Sequence, residues 1–235
     1  ELASGLDRRY LDAVARTLAL GGIAALATVV LALLLAYARR VQNDWVTRRA
    51  VSAATLGYAV PGSVLAVSIM SVVAWLDNAL VGLLDLGGGQ ILGGGLMALL
   101  CAYVIRFMAV AYGAVDSALE QVRPSMGDAA RSLGAGPVRV ILRIYLPMLR
   151  PGILAGILLV GVDVMKEMPA TLLLRPFGWD TLAVRIFEMT AEGEWQRAAL
   201  PAVTLVAVGL LPVILLVRRA SLSRASAPLH TATSR

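Results

Sequence analysis

The sequence predicts an all-α polytopic membrane protein of five spans, with the N-terminus outside and the C-terminus inside. Three observations carry that expectation. Hydrophobic residues make up 59% of the 235 and charged residues only 15%, against roughly 25% charged in soluble domains, and mean hydropathy is +0.79. The apolar residues fall in long continuous runs instead of alternating, which selects helices over a membrane β-barrel. The basic residues gather in every second segment between those runs.

Residues 1–13 are polar and charged and read as an outer N-terminal segment. The chain begins at Glu1 with no methionine, which reads as a fragment or processed product of something longer. No cleaved signal is visible, because the first apolar run is too long for a signal-peptide core. A bilayer core of about 30 Å takes roughly 20 apolar residues in a helix. Five runs meet that length, at 14–38, 50–75, 91–114, 151–174 and 196–217. Pro61, Pro169, Pro201 and Pro212 sit inside or near the ends of these runs and predict kinks that neighbouring helices absorb. Residues 14–217 would form one transmembrane domain with a long inside loop at 115–150, and 218–235 a basic, disordered tail.

The arginines set the orientation. All but one of the 21 basic residues are arginine. Arg39, Arg40, Arg48 and Arg49 follow the first run; Arg123, Arg131, Arg139, Arg143 and Arg150 follow the third; Arg218, Arg219, Arg224 and Arg235 follow the fifth. The loop at 76–90 has Asp77 and Asp85 and no basic residue, and the loop at 175–195 sets Arg175 and Arg185 against Asp180, Glu188, Glu192 and Glu194. The positive-inside bias places the three arginine-rich segments in the cytoplasm of a multi-pass cell-membrane protein. Arg8 and Arg9 are a mild exception, offset in part by Glu1, Asp7 and Asp12.

Several function classes drop out. The net charge of +6 comes with only 6% aromatics and no interleaved basic stripe, so the basic balance reads as membrane orientation, not nucleic-acid binding. Cys101 and His230 are the sole residues of their types, which excludes an internal disulfide and a Cys/His metal cluster. GGGQILGGG at 87–95 lacks the lysine and serine or threonine of a phosphate loop and follows no strand. It reads as a flexible outer loop leading into a small-residue helix surface.

The inside loop is more structured than a connector requires. PSMGDAARSLGAG has a helix start near Ser125 and a glycine stop at Gly134. Asp128 would sit in the first turn, with Ala129, Ala130 and Leu133 forming a small apolar face. PVRVILRIYLP then puts Val138, Ile141, Leu142 and Tyr145 on one helical face and Arg139 and Arg143 on another. Pro147 and Pro151 punctuate the start of the fourth run. One reading is an amphipathic helix lying on lipid headgroups; the other is a docking element.

The spacing favours docking. Asp128-Ala129-Ala130, then Gly134, then Ile144, Leu146 and Pro147 resembles the cytoplasmic signature of binding-protein-dependent ABC importer permeases, with aspartate in place of the usual glutamate. Five spans, the N-terminus out and the signature between the third and fourth also resemble the type I importer permease core. The run DVMKEMPATLLLRPFGWDTLAVRIFEMTAEGEW at 163–195 looks like the C-terminal half of ferric-iron permeases, which often carry two homologous halves on one polypeptide. Permeases for thiamine, phosphonates and polyamines share parts of it.

The resemblance implies the partners. An outer binding protein would deliver substrate, a second permease half, fused or separate, would complete the pathway, and an ABC ATPase dimer would bind inside. ATP and Mg would be held by the ATPase subunits, and this chain would bind no cofactor and would not itself be an enzyme. The helix at Asp128 to Gly134 would couple ATPase closure to rigid-body alternating access.

Asp163, Lys166 and Glu167 fall near mid-bilayer in the fourth run, where a charged group costs at least about 2.5–3.5 kcal/mol. Asp163 and Lys166 at i, i+3 would neutralise each other in part, leaving a negative remainder that Arg106 of the third run could balance. These four residues are either a structural ion-pair cluster or part of the translocation pathway. In the second case Asp163 and Glu167 suit a cation, and hard ferric iron accepts carboxylate oxygens. Pro169 would break the helix and free carbonyls toward a cavity, while Met165 and Met168 read as packing residues. The acidic loop carrying Asp180, Glu188, Glu192 and Glu194 would be solvated or would receive the binding protein. An ion-coupled secondary transporter using the same charges is the competing class, but it has no need of an ATPase dock.

Overall fold

The structure, a computed structural model, describes residues 8–84 and 95–225. Among them every regular element is helical. In chain order these are α1 (Arg8–Val41), α2 (Trp45–Thr55), a 3-10 turn (Leu56–Ala59), α3 (Gly62–Leu84), α4 (Leu96–Glu120), α5 (Pro124–Ser132), α6 (Pro137–Val140), a π turn (Ile141–Tyr145), α7 (Leu146–Met165), α8 (Pro169–Leu174), α9 (Leu182–Ala191) and α10 (Trp195–Ala225). The expected glycine-rich loop, apart from Gly95, lies outside the described residues, as do residues 1–7, Asp85 and 226–235.

α1, α3 and α4 are long and apolar enough to cross a membrane. Residues 138–165 count as a fourth span if the two arms, bent by 74°, are taken together, and the stretch Trp195–Leu210 opens α10 as a shorter apolar helix. The bend has a local cause in Pro151, which lies inside α7. It has no amide hydrogen for the Pro147 carbonyl, and its ring crowds that carbonyl.

The centre of the bundle is α1, α4 and α7, packed through small residues. Ala24, Ala25, Ala32 and Ala36 of α1, Ala98, Ala102 and Ala111 of α4, and Gly152, Gly156 and Gly161 of α7 are all buried. A Cβ on Gly152 would collide with the Ala118 side chain and the Ala114 carbonyl, and one on Gly156 would press Val29. Close approach of this kind is how helices hold together where lipid tails compete equally for apolar side chains. Thr17 and Thr28, buried on α1, donate their hydroxyls to the carbonyls of Ala13 and Ala24 at 2.7 and 2.6 Å, so neither polar group is stranded.

The expected boundaries shift in four places. The run at 50–75 does not form one helix: Gly57 packs so tightly on the Ile105 carbonyl that no Cβ fits, and Pro61 supplies no amide hydrogen. The helix that follows is α3, which runs to Leu84 and takes in Asp77, expected in a loop and found buried. The run at 151–174 is interrupted between Met165 and Pro169, and its helix starts earlier, at Leu146. Residues 8–13 belong to α1 instead of a separate outer segment, with Tyr10 and Ala13 buried. Residues 218–225 continue α10 where a disordered tail was expected.

Side-chain links define two ends of the bundle. At one, Arg40 donates to the carbonyls of Leu119, at 2.9 Å, and Val122, closing the C-terminus of α4. Arg39 donates to the Tyr112 hydroxyl at 2.8 Å and lies 3.5 Å from Asp116. The arginine-rich segments after α1 and around α5 therefore share an end. At the other, Arg16 donates to the Gly178 carbonyl, the Leu182 amide donates to Thr17 Oγ1 at 2.9 Å, and Tyr10 bonds Thr204.

Candidate functional site

At the arginine-rich end, α5 projects as a short helix. It starts at Pro124 after an extended Arg123, with no side-chain cap. Ser125 is thus already helical and does not cap, and Asp128 lies in the second turn, beyond the strongest reach of the helix dipole. Asp128 instead pairs with Arg131 at 3.2 Å, both exposed. At the far end Gly134 takes a left-handed φ of +81°. Its amide reaches the Arg131 carbonyl at 2.9 Å and the Ala135 amide reaches Ala130 at 3.0 Å, the double closure that a left-handed glycine permits.

The structure divides the signature residues. Asp128, Ala129, Gly134 and Pro147 are exposed, Leu146 is half-buried, and Ala130 and Ile144 pack on the core. Leu133, 89% exposed, stands at the tip. The expected apolar face of the following helix is revised: Val140 and Tyr145 are buried, while Val138 and Leu142 are exposed. The π turn at Ile141–Tyr145 adds a residue to the turn and rotates the side chains after it. Gly134, Gly136, Val138, Arg139, Leu142 and Arg143 line an open cleft of about 500 Å³ beside α5.

Three residues fasten α5 to the bundle, and two of them, Gly127 and Tyr37, were not singled out by sequence spacing. A side chain at Gly127, buried on the inner face of α5, would strike the Tyr145 hydroxyl. The Tyr145 ring meets Tyr37 of α1 edge-on at 5.7 Å. Gly127, Tyr145 and Tyr37 join α5 to α1 and to the π turn ahead of α7. The signal was weak, because a glycine inside a short helix acquires meaning only once its long-range neighbour is known.

The second set of candidates meets where the breaks at 56–61 and 166–168 face each other. Arg106 Nε donates to Glu167 Oε2 at 2.9 Å, and Arg106 also donates to the Val60 carbonyl. Glu167 Oε1 accepts from the Ala170 amide at 3.3 Å, and a Cβ on Gly62 would strike that oxygen. Thr171 donates to the Glu167 carbonyl and bonds Tyr103 at 2.7 Å. Lys166 Nζ lies 2.8 Å from Asp163 Oδ1. Each carboxylate therefore has its own cation: Lys166 pairs with Asp163, and Arg106 balances the remaining charge on Glu167, as the sequence suggested it could. The Glu167 carbonyl, next to the break, is taken up by the Thr171 hydroxyl. Met165 is buried and Met168 half-buried, as packing residues are.

At the opposite end a cleft of about 600 Å³ is lined by both signs, Arg9, Arg16, Arg185 and Arg197 with Glu188, Glu192 and others. Arg175 bridges Asp180 and Glu188, at 2.6 Å to the latter. Arg16 stacks over Trp179 at 5.9 Å. The acidic loop is a set of internal ion pairs as much as a solvated charge run.

The fold is that of an ABC importer permease. The structure superposes on a bacterial alginate ABC transporter, solved with a pentasaccharide-bound periplasmic protein, with a TM-score of 0.71 at 16% identity over 90% of this chain and 78% of that one. It superposes on the MetNI methionine ABC transporter with a TM-score of 0.67 at 17% identity over 94% and 95%. Residues 28–220 match the family described as "binding-protein-dependent transport system inner membrane component", and the chain belongs to that family of multi-pass membrane permeases. It is 28% identical over 91% of its length to the Fe(3+)-transport system permease protein FbpB 2 of Haemophilus influenzae, covering 40% of that protein. It is 32% identical over 53% of its length to a 2-aminoethylphosphonate transport system permease protein, PhnV, of Salmonella typhimurium, covering 47% of it. The chain thus spans less than half the length of these curated relatives.

Proposed function

We infer that the chain is one permease half of an ATP-driven importer, moving a substrate delivered by a soluble binding protein, with ferric iron as the leading substrate. The observation that carries the coupling role is α5: an exposed Asp128–Leu133–Gly134 edge on a helix that Gly127, Tyr145 and Tyr37 fasten to the bundle. An ATPase subunit seated on that edge could not shift α5 without moving α1 and α7. Ala129 lets a partner surface come close, Gly134 turns the chain away sharply, and Asp128 offers a carboxylate to a basic partner group. This is rigid-body alternating access driven from one end. ATP and Mg would lie on the ATPase dimer.

In this reading the arginine-rich end is cytoplasmic and the N-terminus is outside, by the positive-inside bias. The five spans would then be α1, α3, α4, the bent stretch at 138–165 and α10. The mixed-charge cleft beside α9 faces outward and suits a binding protein whose own surface carries both signs. Iron is favoured by the ferric-iron relative, whose match covers 91% of this chain, and a phosphonate is the second reading, favoured by the higher identity to the aminoethylphosphonate permease over its shorter match. The test is reconstitution of the full polypeptide with its ATPase in proteoliposomes. Uptake should need both ATP and the binding protein. Uptake that survives ATP depletion and Gly134→Asp, but collapses with the ion gradient, would establish a secondary transporter instead.

A further inference from the structure

The four charges at the paired breaks do not share the surface equally. Glu167 is buried with both carboxylate oxygens engaged, and Arg106 is held by Glu167 and Val60. The Asp163 side chain is 17% exposed, while that of Lys166 is 65% exposed. The group the cluster presents outward is therefore an ammonium. Asp163 takes up one direction of its three donors.

The cluster also has a depth. Arg106 lies about 15 Å from one end of α4 and about 21 Å from the other, at roughly 1.5 Å per helical residue. Glu167 is bonded to it and Lys166 is the next residue, so the ammonium sits near mid-height. An exposed charge there is strongly disfavoured against lipid and belongs on a protein-lined or water-filled face. In an importer half that face is the route between the halves.

We propose that Lys166 contacts the substrate during passage and selects substrates that present anionic oxygens, either a small free oxyanion such as a phosphonate or a metal ion carried as an anionic oxygen complex. This rests on reading the chain as an importer half, and it replaces Asp163 and Glu167 as the groups facing the cargo. A single ammonium suits a transient site, because conduction needs contacts weak enough to release. Asp163 recaptures the ammonium when the anion moves on, so the charge is never left without a partner.

The test uses the full transporter with its ATPase and binding protein in proteoliposomes, comparing wild type, K166R, K166Q and D163N/E167Q. The probes are labelled 2-aminoethylphosphonate, labelled ferric citrate, and ferric iron kept free of oxyanions. Wild type should carry one of the first two, which tells the free anion from the complex. K166Q should raise the apparent KM for that probe about tenfold or more, the size of one lost charge-assisted hydrogen bond. K166R should stay within about threefold of wild type, with all variants eluting as intact complexes. K166Q matching wild type would overturn the proposal. So would uptake of oxyanion-free iron that D163N/E167Q abolishes and K166Q spares, or ATPase stimulation with neither anionic probe carried. Failure of the importer reading shows separately, as ATP hydrolysis that the binding protein does not stimulate even in wild type, and it overturns the proposal too.

Discussion

Replacing Glu167 with glutamine leaves the Arg106 guanidinium at mid-bundle without its carboxylate. The wild-type contact is 2.9 Å, with the side chains 20% and 8% exposed, and after the change Arg106 has only neutral acceptors, the Val60 carbonyl and the glutamine amide oxygen. Removing one member of such a pair costs about 3–5 kcal/mol, because the remaining charge is still buried. The reciprocal Arg106→Gln strands Glu167 beside Gly62 and should cost a similar amount. At roughly 2–4 °C per kcal/mol for a chain of this size, each single variant should lower the melting temperature by about 6–20 °C in detergent, followed by fluorescence-detected size exclusion. The double variant R106Q/E167Q removes both charges and should recover part of the loss. Single shifts under about 2 °C, or losses that simply add in the double variant, would refute a coupled pair.

Gly127→Val should push α5 off Tyr145 and lower ATP-coupled uptake at least about tenfold, while the bundle still folds; uptake and ATPase stimulation measured together check this. Gly134→Ala places a Cβ on a residue at φ +81° and should cost about 1–2 kcal/mol locally, read as faster amide exchange at Ala135, whereas Gly134→Asn should be tolerated better. Asp44 caps α2 by accepting from the Thr47 amide at 2.8 Å, and hydrogen bonding to Thr47 holds its carboxyl below the ordinary aspartate value. A lowered folded pKa means the cap is intact above the unfolded value and is lost as pH falls below about 4, so α2 amides should exchange faster there and Asp44→Asn should flatten that dependence.

Much of the architecture was readable from hydropathy and charge, because lipid imposes length and polarity limits that soluble cores do not. The signature from Asp128 to Pro147 and the pairing of Asp163 with Lys166 were readable because both are local spacings. What was not readable depends on partners distant in sequence. Gly57 against Ile105 splits the second run, and Gly62 beside Glu167 makes room for a carboxylate more than a hundred residues away. Arg106 could be named as the missing cation, but only the packed breaks show that it serves Glu167 and leaves Lys166 to the surface. The π turn likewise changes the register of the side chains that follow it, which helical periodicity alone could not foretell.

The central claim, that α5 is where an ATPase subunit engages, is tested most directly by placing a photo-reactive benzoylphenylalanine at Leu133 in the reconstituted complex. With its side chain 89% exposed at the α5 tip, it should yield, on illumination, a covalent adduct to the ATPase subunit in a transporter that still imports. An importing complex in which position 133 labels only lipid or solvent, with no ATPase adduct, would contradict the account.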